Sequence, residues 1–254
     1  MRKAKFNPFL IAGLPLLLLL ALPALGLISA LSPGELIDKM GDPLVLSALG
    51  LSLRSSLVSL AIIIVFGTPL AWWLSQRPPS SAWSLLIDLP MVLPPAVTGL
   101  ALLMVFGSQG LLSGAGSVAF SFAAVIIAQT VVAAPFYLQA GATSFRSIDQ
   151  QQLLAAQNLG SAPIGAFMRI ALPLALPGLV NGAALAWARA LGEFGATLLF
   201  AGNLPGRSQT MPLAIYSALQ SDISAALALA FILAALALAL LLALRLLPRL
   251  INRP

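Results

Sequence analysis

Six stretches of this chain, roughly residues 9–31, 50–74, 85–106, 118–140, 174–201 and 223–247, are predominantly apolar over about twenty residues or more. A helix of that length crosses the hydrocarbon of a bilayer. Inside hydrocarbon the backbone must satisfy its own hydrogen bonds, which leaves helices or a closed barrel. The lengths select helices, so the expected fold class is an all-α integral membrane protein with six transmembrane helices. Charged residues are only 8% of the chain, against about a quarter in soluble domains, too few to cover a soluble surface. The first stretch follows Arg2, Lys3 and Lys5, as a secretory signal would. It is longer than a typical signal core and lacks a small-residue cleavage site, so it reads as a retained helix. Residues 1–44 then form an N-terminal span with its outer loop, and residues 45–250 the main transmembrane domain.

The chain has no cysteine and no histidine. Disulfides, thiol nucleophiles, histidine bases and the usual zinc and haem ligands are thereby excluded. Its lysines are Lys3, Lys5 and Lys39, and none closes a glycine-rich phosphate loop. ATP hydrolysis therefore has no machinery here. The net charge of +6 does not mark a nucleic-acid partner, because the basic residues flank the apolar stretches. With the N-terminus inside, the inner flanks hold Arg2, Lys3, Lys5, Arg77, Arg146, Arg169, Arg245, Arg249 and Arg253. The outer loops hold Lys39 and Arg207, with Arg54 near the outer end of the second span. The positive-inside rule thus predicts a multi-pass protein with both termini cytoplasmic.

Pro94-Pro95 falls inside the third span and Pro135 inside the fourth. Each proline removes a backbone donor and frees a carbonyl, so these helices are either kinked for packing or broken along a path. No internal repeat is evident, which removes the inverted-repeat signature of many secondary transporters.

The longest polar interruption on the inner side is SFRSIDQQQLLAAQNLGSAPIGAFMRIALPLALPGL, residues 144–178. Ser147 and Gln150 have the spacing of a capping box, Gly160 suits a left-handed helix end, and Pro163 suits a helix start. Two short helices around a glycine turn are expected, lying at the membrane surface. Ala155, Ala156, Gly160, Ile170, Leu172 and Pro173 fall at the spacing of the cytoplasmic signature loop of ABC importer permeases. The loop resembles that signature except at Leu154, where the family usually has glutamate. In that family the loop is a coupling helix that docks into a cleft of an ATPase subunit.

Three more stretches resemble the molybdate group of these permeases, close kin to sulfate and thiosulfate permeases. They are LPMVLPPAVTGLALL (89–103), IAQTVVAAPF (127–136) and RALGEFGATLLFAGN with PGRSQTMPLAIY (189–216). The resemblance implies a type I ABC importer permease fold in a bacterial plasma membrane. It implies a homodimer with two copies of an ATPase subunit, which uses ATP and Mg, and a periplasmic oxyanion-binding protein. No cofactor is then bound by this chain, and lipid surrounds it. The cargo the resemblance implies is molybdate, moved by alternating access, with tungstate or sulfate and thiosulfate as the alternatives.

A dianion crossing hydrocarbon needs a polar, hydrated passage that lowers the cost of burying charge without trapping the ion. Thr98, Gln129, Thr130, Asn181, Arg189 and Thr197 are donors within spans and are the candidate lining. Arg189 and Glu193, four residues apart, would share a helix face and pair. The pair either fixes packing or, with Glu193 tempering the potential of Arg189, belongs to the path. The outer loop 202–222 is expected to carry a short helix from Pro212 to about Leu219 and to act as a lid and docking surface. Glu35, Asp38 and Asp42 in the first outer loop extend that acidic surface. The competing classes are an ion-coupled carrier, which needs an accessible intramembrane acid, and an assembly factor without flux.

Overall fold

In a computed structural model the described residues are 8–30 and 33–251, and every regular element among them is helical. Helix α1 (Pro8–Ser29) is the first span and α2 (Pro33–Met40) a short amphipathic helix after it. Helix α3 (Pro43–Ser75) follows at once, its first turn capped by Asp42, whose Oδ1 accepts the Leu44 amide at 2.8 Å. The third apolar stretch is two helices, α4 (Ala82–Val92) and α5 (Pro95–Phe106), bent by 112°. Pro94 and Pro95 supply no amides to continue the ladder, so the helix stops and restarts. Helix α6 (Phe122–Arg146) carries Pro135 without a break. After it come α7 (Gln150–Asn158), α8 (Pro163–Ala166), a π-helical turn over Phe167–Ala171, and α9 (Leu172–Leu191). Helices α10 (Gly195–Ala201), α11 (Met211–Ala218) and α12 (Ile223–Ile251) complete the chain. Among the described residues five helices are long and apolar enough to span a bilayer, or six if the α4–α5 pair is one broken span. The basic side chains expected at Arg2, Lys3, Lys5 and Arg253 lie outside the described residues.

Helices α3, α6 and α9 form the centre. Water does not drive helices together inside a membrane, so packing and interhelical hydrogen bonds must. Small residues do the first: a side chain begun at Gly182 on α9 would come 2.8 Å from Ala140 Cβ on α6. Ala71, Ala133, Ala142, Ala175, Ala186 and Ala190 are buried in the same seam. Serines do the second. Ser52, Ser55, Ser56 and Ser59 are fully buried along one face of α3. Ser56 Oγ accepts Trp187 Nε1 of α9 at 3.0 Å, and Ser59 Oγ reaches the Ile126 carbonyl of α6 at 3.1 Å. Ser52 Oγ accepts the Met211 amide at the start of α11 at 2.7 Å. Each such bond is worth about 0.6 kcal/mol in a bilayer, modest singly but set at three different helix contacts. Hydropathy treats serine as nearly neutral, so this face was not visible as a feature of the second span.

The outer loop differs from the lid expected over 202–222. Ser208, Gln209, Thr210 and Met211 are buried, and Met211 and Ala214 join Val45, Ala48 and Leu229 in one apolar cluster. The segment is a packed plug. Its polar groups bond internally: Gln209 Nε2 donates to Asn203 Oδ1 at 2.9 Å, and Asn203 Nδ2 to Ser217 Oγ at 2.7 Å. On the same face α2 is tied to α12, where Asp222 Oδ1 caps the Ala225 amide at 3.0 Å and Oδ2 meets Lys39 Nζ at 2.5 Å. The Lys39 ammonium, with the Ala225 amide, holds the Asp222 carboxyl below its ordinary range. Asp42 is thus a helix cap and Lys39 is engaged with Asp222, which thins the acidic surface expected there.

Candidate functional site

Two broken helices meet inside the membrane-spanning part of the bundle. The apolar stretch expected to run unbroken from 174 to 201 stops at Leu191 and restarts at Gly195. Helix α10 packs against α5. A side chain begun at Gly99 would fall 2.7 Å from the Ala196 carbonyl oxygen, and one at Gly195 would fall 2.9 Å from Pro95 Cβ. Only glycine permits this approach, which brings the start of α10 against the first turns of α5.

Arg189 and Glu193 do pair, but not as neighbours on a helix face. Arg189 is in the last turn of α9 and Glu193 lies in the break. The Glu193 side chain is fully buried, and its Oε1 accepts the Ala196 amide at 2.8 Å in the first turn of α10. Its Oε2 lies 2.7 Å from Arg189 Nη1, in ion-pair contact without hydrogen-bond alignment. The carboxylate therefore satisfies a helix start and neutralises an arginine at once. The Arg189 side chain remains 29% exposed. Gly192 ends α9 and Glu193 replaces the interrupted ladder, which is why the break needs no proline.

Thr98 on α5, Gln129 on α6 and Thr197 on α10 are buried. Among the described residues Thr98 Oγ1, Gln129 Nε2, Thr130 Oγ1 and Thr197 Oγ1 have no hydrogen-bond partner. Gln129 Oε1 faces Ser59 Oγ at 3.3 Å, so its amide nitrogen is left over. Buried polar atoms are nearly always paired, and these four unpaired ones are borne by three mutually packed helices, α5, α6 and α10. Thr210 Oγ1 has the same character at the start of α11; the sequence offered no signal for it. Asn181 is not part of this group. It stands exposed on α9, on the face that also carries Leu174, Pro177, Leu185 and Ala188.

At the other end lies the glycine turn. Ser147 does not cap α7 as the capping-box spacing predicts: it ends α6, its Oγ donating to the Ser144 carbonyl at 2.7 Å. Asp149 caps instead, its Oδ1 accepting the Gln151 amide at 2.9 Å. Gly160 has φ +88°, and the Ser161 amide donates to the Ala156 carbonyl at 3.0 Å, closing a Schellman turn. Ala155 is exposed and Ala156 half-buried; Ile170 and Leu172 are half-buried and Pro173 is exposed. Leu154, Leu159 and Ile164 are 56%, 87% and 75% exposed, an apolar surface on a segment beyond the spans. Phe167 anchors this surface to the bundle, with ring centroids 5.3 Å from Trp72 of α3 and 5.9 Å from Phe145 of α6.

The described residues form a helical bundle with two interrupted helices, unpaired donors buried within it and an exposed apolar turn. Residues 63–253 match the family of binding-protein-dependent transport system inner membrane components. A probable transport system permease protein of Clostridium pasteurianum is 36% identical over 218 residues, covering 83% of this chain and 76% of that protein. A molybdenum transport system permease protein of Mycobacterium bovis is 43% identical over 189 residues, covering 72% of each. The crystal structure of a bacterial alginate ABC transporter in complex with an alginate pentasaccharide-bound periplasmic protein contains a chain of the same fold. That chain superposes with a TM-score of 0.73 at 18% identity, over 96% of this chain and 95% of its own. The chain belongs to the binding-protein-dependent transport system inner membrane component family, with the type I ABC importer permease fold.

Proposed function

We propose that this chain is the permease subunit of an ATP-driven, binding-protein-dependent importer for molybdate. The carrying observation is the set of unpaired donors buried on α5, α6 and α10, in a bundle whose paired arginine at the end of α9 keeps 29% of its side chain exposed. Hydroxyl and amide donors suit a tetrahedral dianion, and several distinct weak donors bind it without trapping it. The cargo follows from relatives named as molybdenum permeases, among them that of Mycobacterium bovis. Two copies of the chain flank one path, and each docks an ATPase subunit on its Ala155–Pro173 segment. Closure of the ATPase pair moves both docking segments, and the Phe167–Trp72–Phe145 contact carries that movement into α3 and α6. ATP and Mg are used in the ATPase, and this chain binds neither. A proton-coupled route has little to work with: Glu193 is committed to Arg189 and Ala196, and Asp88 Oδ1 accepts Gln139 Nε2 at 2.8 Å near the inner end.

The reading is tested by reconstituting the permease with its ATPase and binding protein. Molybdate-loaded binding protein is expected to stimulate ATP hydrolysis and molybdate uptake, with sulfate far weaker. Equal stimulation by sulfate would sink the cargo assignment, and uptake without the ATPase would sink the importer.

Membrane orientation has its own test, made clean by the absence of cysteine. A cysteine at position 161 in the docking turn is expected to be shielded from impermeant maleimide in right-side-out vesicles. One in place of Gly206, exposed in the outer loop, is expected to label. Reversed labelling would invert the topology and remove the docking turn from the cytoplasm.

A further inference from the structure

The Trp72–Trp73 pair near the inner end of α3 marks one interfacial level, where such rings concentrate. Arg77 just beyond it lies over the Trp73 ring at 3.8 Å. A hydrocarbon layer of about 30 Å takes about twenty helical residues. Counted back along α3, that length reaches Ser52–Leu53, which places Arg54 at the opposite interfacial level, where lipid phosphates lie. A cavity of about 420 Å³ opens there, bounded by Arg54, Arg207 and Ser47 over a floor of Leu46, Leu51 and Phe122. Both arginines are exposed. Among the described residues the ion pairs are Lys39–Asp222 and Arg189–Glu193, so neither guanidinium is neutralised. Directly below Arg54 on the same helix face, Leu57, Val58, Ala61 and Val65 are exposed as a continuous apolar stripe.

We infer that this pocket binds the phosphate of an anionic glycerophospholipid, with the acyl chain laid along Leu57–Val65. The charge complementarity identifies the headgroup: two unneutralised guanidiniums line the same cavity, and each offers paired N–H donors suited to phosphate oxygens. The apolar stripe identifies the remainder, since a free anion has no use for it. The site is separate from the orphaned donors of α5, α6 and α10, and it stands whether or not molybdate is the cargo.

The test uses the full-length protein in nanodiscs, with Leu57→Trp as a reporter in the exposed apolar stripe below Arg54 and the parent subtracted for its native tryptophans. Tail-brominated phosphatidylglycerol is expected to quench the reporter at about tenfold lower mole fraction than brominated phosphatidylcholine. Adding Arg54→Gln and Arg207→Gln is expected to abolish that preference, and adding Arg54→Lys and Arg207→Lys to retain most of it. The lysine pair separates loss of charge from loss of fold. An unchanged preference in the glutamine pair would overturn the inference. So would a reporter that neither lipid quenches, which would mean that a second copy of the chain covers the pocket. An arginine-dependent response of the reporter to micromolar molybdate in phosphatidylcholine alone would assign the pocket to a free oxyanion and overturn it too.

Discussion

Glu193→Ala is expected to destabilise the purified permease by about 3–5 kcal/mol, the usual cost of breaking a buried pair from one side. The loss has two parts. Arg189 is left with an uncompensated charge, and the Ala196 amide loses the only acceptor found for it at the start of α10. Arg189→Ala is expected to cost a comparable amount, because it leaves the fully buried Glu193 carboxylate uncompensated even though that carboxylate keeps its bond to the Ala196 amide. The apolar double variant Arg189→Met with Glu193→Leu then separates the parts. It removes both charges but still orphans the amide, so it is expected to recover most of the stability and stay about 0.5–2 kcal/mol short, the ordinary cost of a lost cap. Thermal unfolding in detergent measures the series. A double variant as stable as wild type would show that the carboxylate is not needed to start α10. Oxyanion uptake by the same variants reads the other role: wild-type flux in the double variant would exclude Arg189 from the path.

Gly160→Val is expected to abolish productive coupling while leaving the bundle intact. At φ +88° a residue with a Cβ is strained by about 1–2 kcal/mol, more when the side chain is β-branched. No atom lies within 4 Å of a Cβ built there, so the strain comes from the backbone and is relieved only by reshaping the turn. That reshaping displaces Leu159 from the apolar surface it shares with Leu154 and Ile164. The measurement is binding-protein-stimulated ATP hydrolysis in the reconstituted complex, beside the melting temperature of the permease alone. A large fall in the first with little change in the second is the expected result. Undiminished stimulation would falsify the assignment of this turn as the coupling element.

How much of this was legible follows from what each residue announces locally. The glycine turn was legible because Gly160 and Pro163 punctuate it, whatever the chain around them does. Its capping residue was misplaced from Asp149 to Ser147, because α6 runs further than hydropathy suggests and uses Ser147 for its own end. Pro94-Pro95 announced a break, but the 112° bend depends on what α5 packs against, and no local pattern carries that. The break at 192–194 was hidden because its ends are held by a side chain, Glu193, rather than caused by a proline. The pairing of Arg189 with Glu193 was read correctly for a reason that does not apply: the two are neighbours across a helix end, not along one face. Thr98, Gln129 and Thr197 were picked out as donors in apolar spans. That their atoms are orphaned together is a property of three helices at once. The short helix read from Pro212 is present as α11, but the inward packing of Ser208–Met211 within a segment read as a lid and docking surface was not legible, because its polar groups are satisfied by one another, which composition does not reveal.

The seam between α6 and α9 has a mechanical consequence. With Gly182 against Ala140 at less than a methyl group's clearance, the two helices are packed as closely as glycine allows. Ser56 and Ser59 pin α3 to the same unit. These three helices therefore behave as one stiff plate, and a cycle that opens first to one side and then to the other has to find its compliance elsewhere. Among the described residues α4 and α5 are separated at Pro94-Pro95, and α9 and α10 at 192–194.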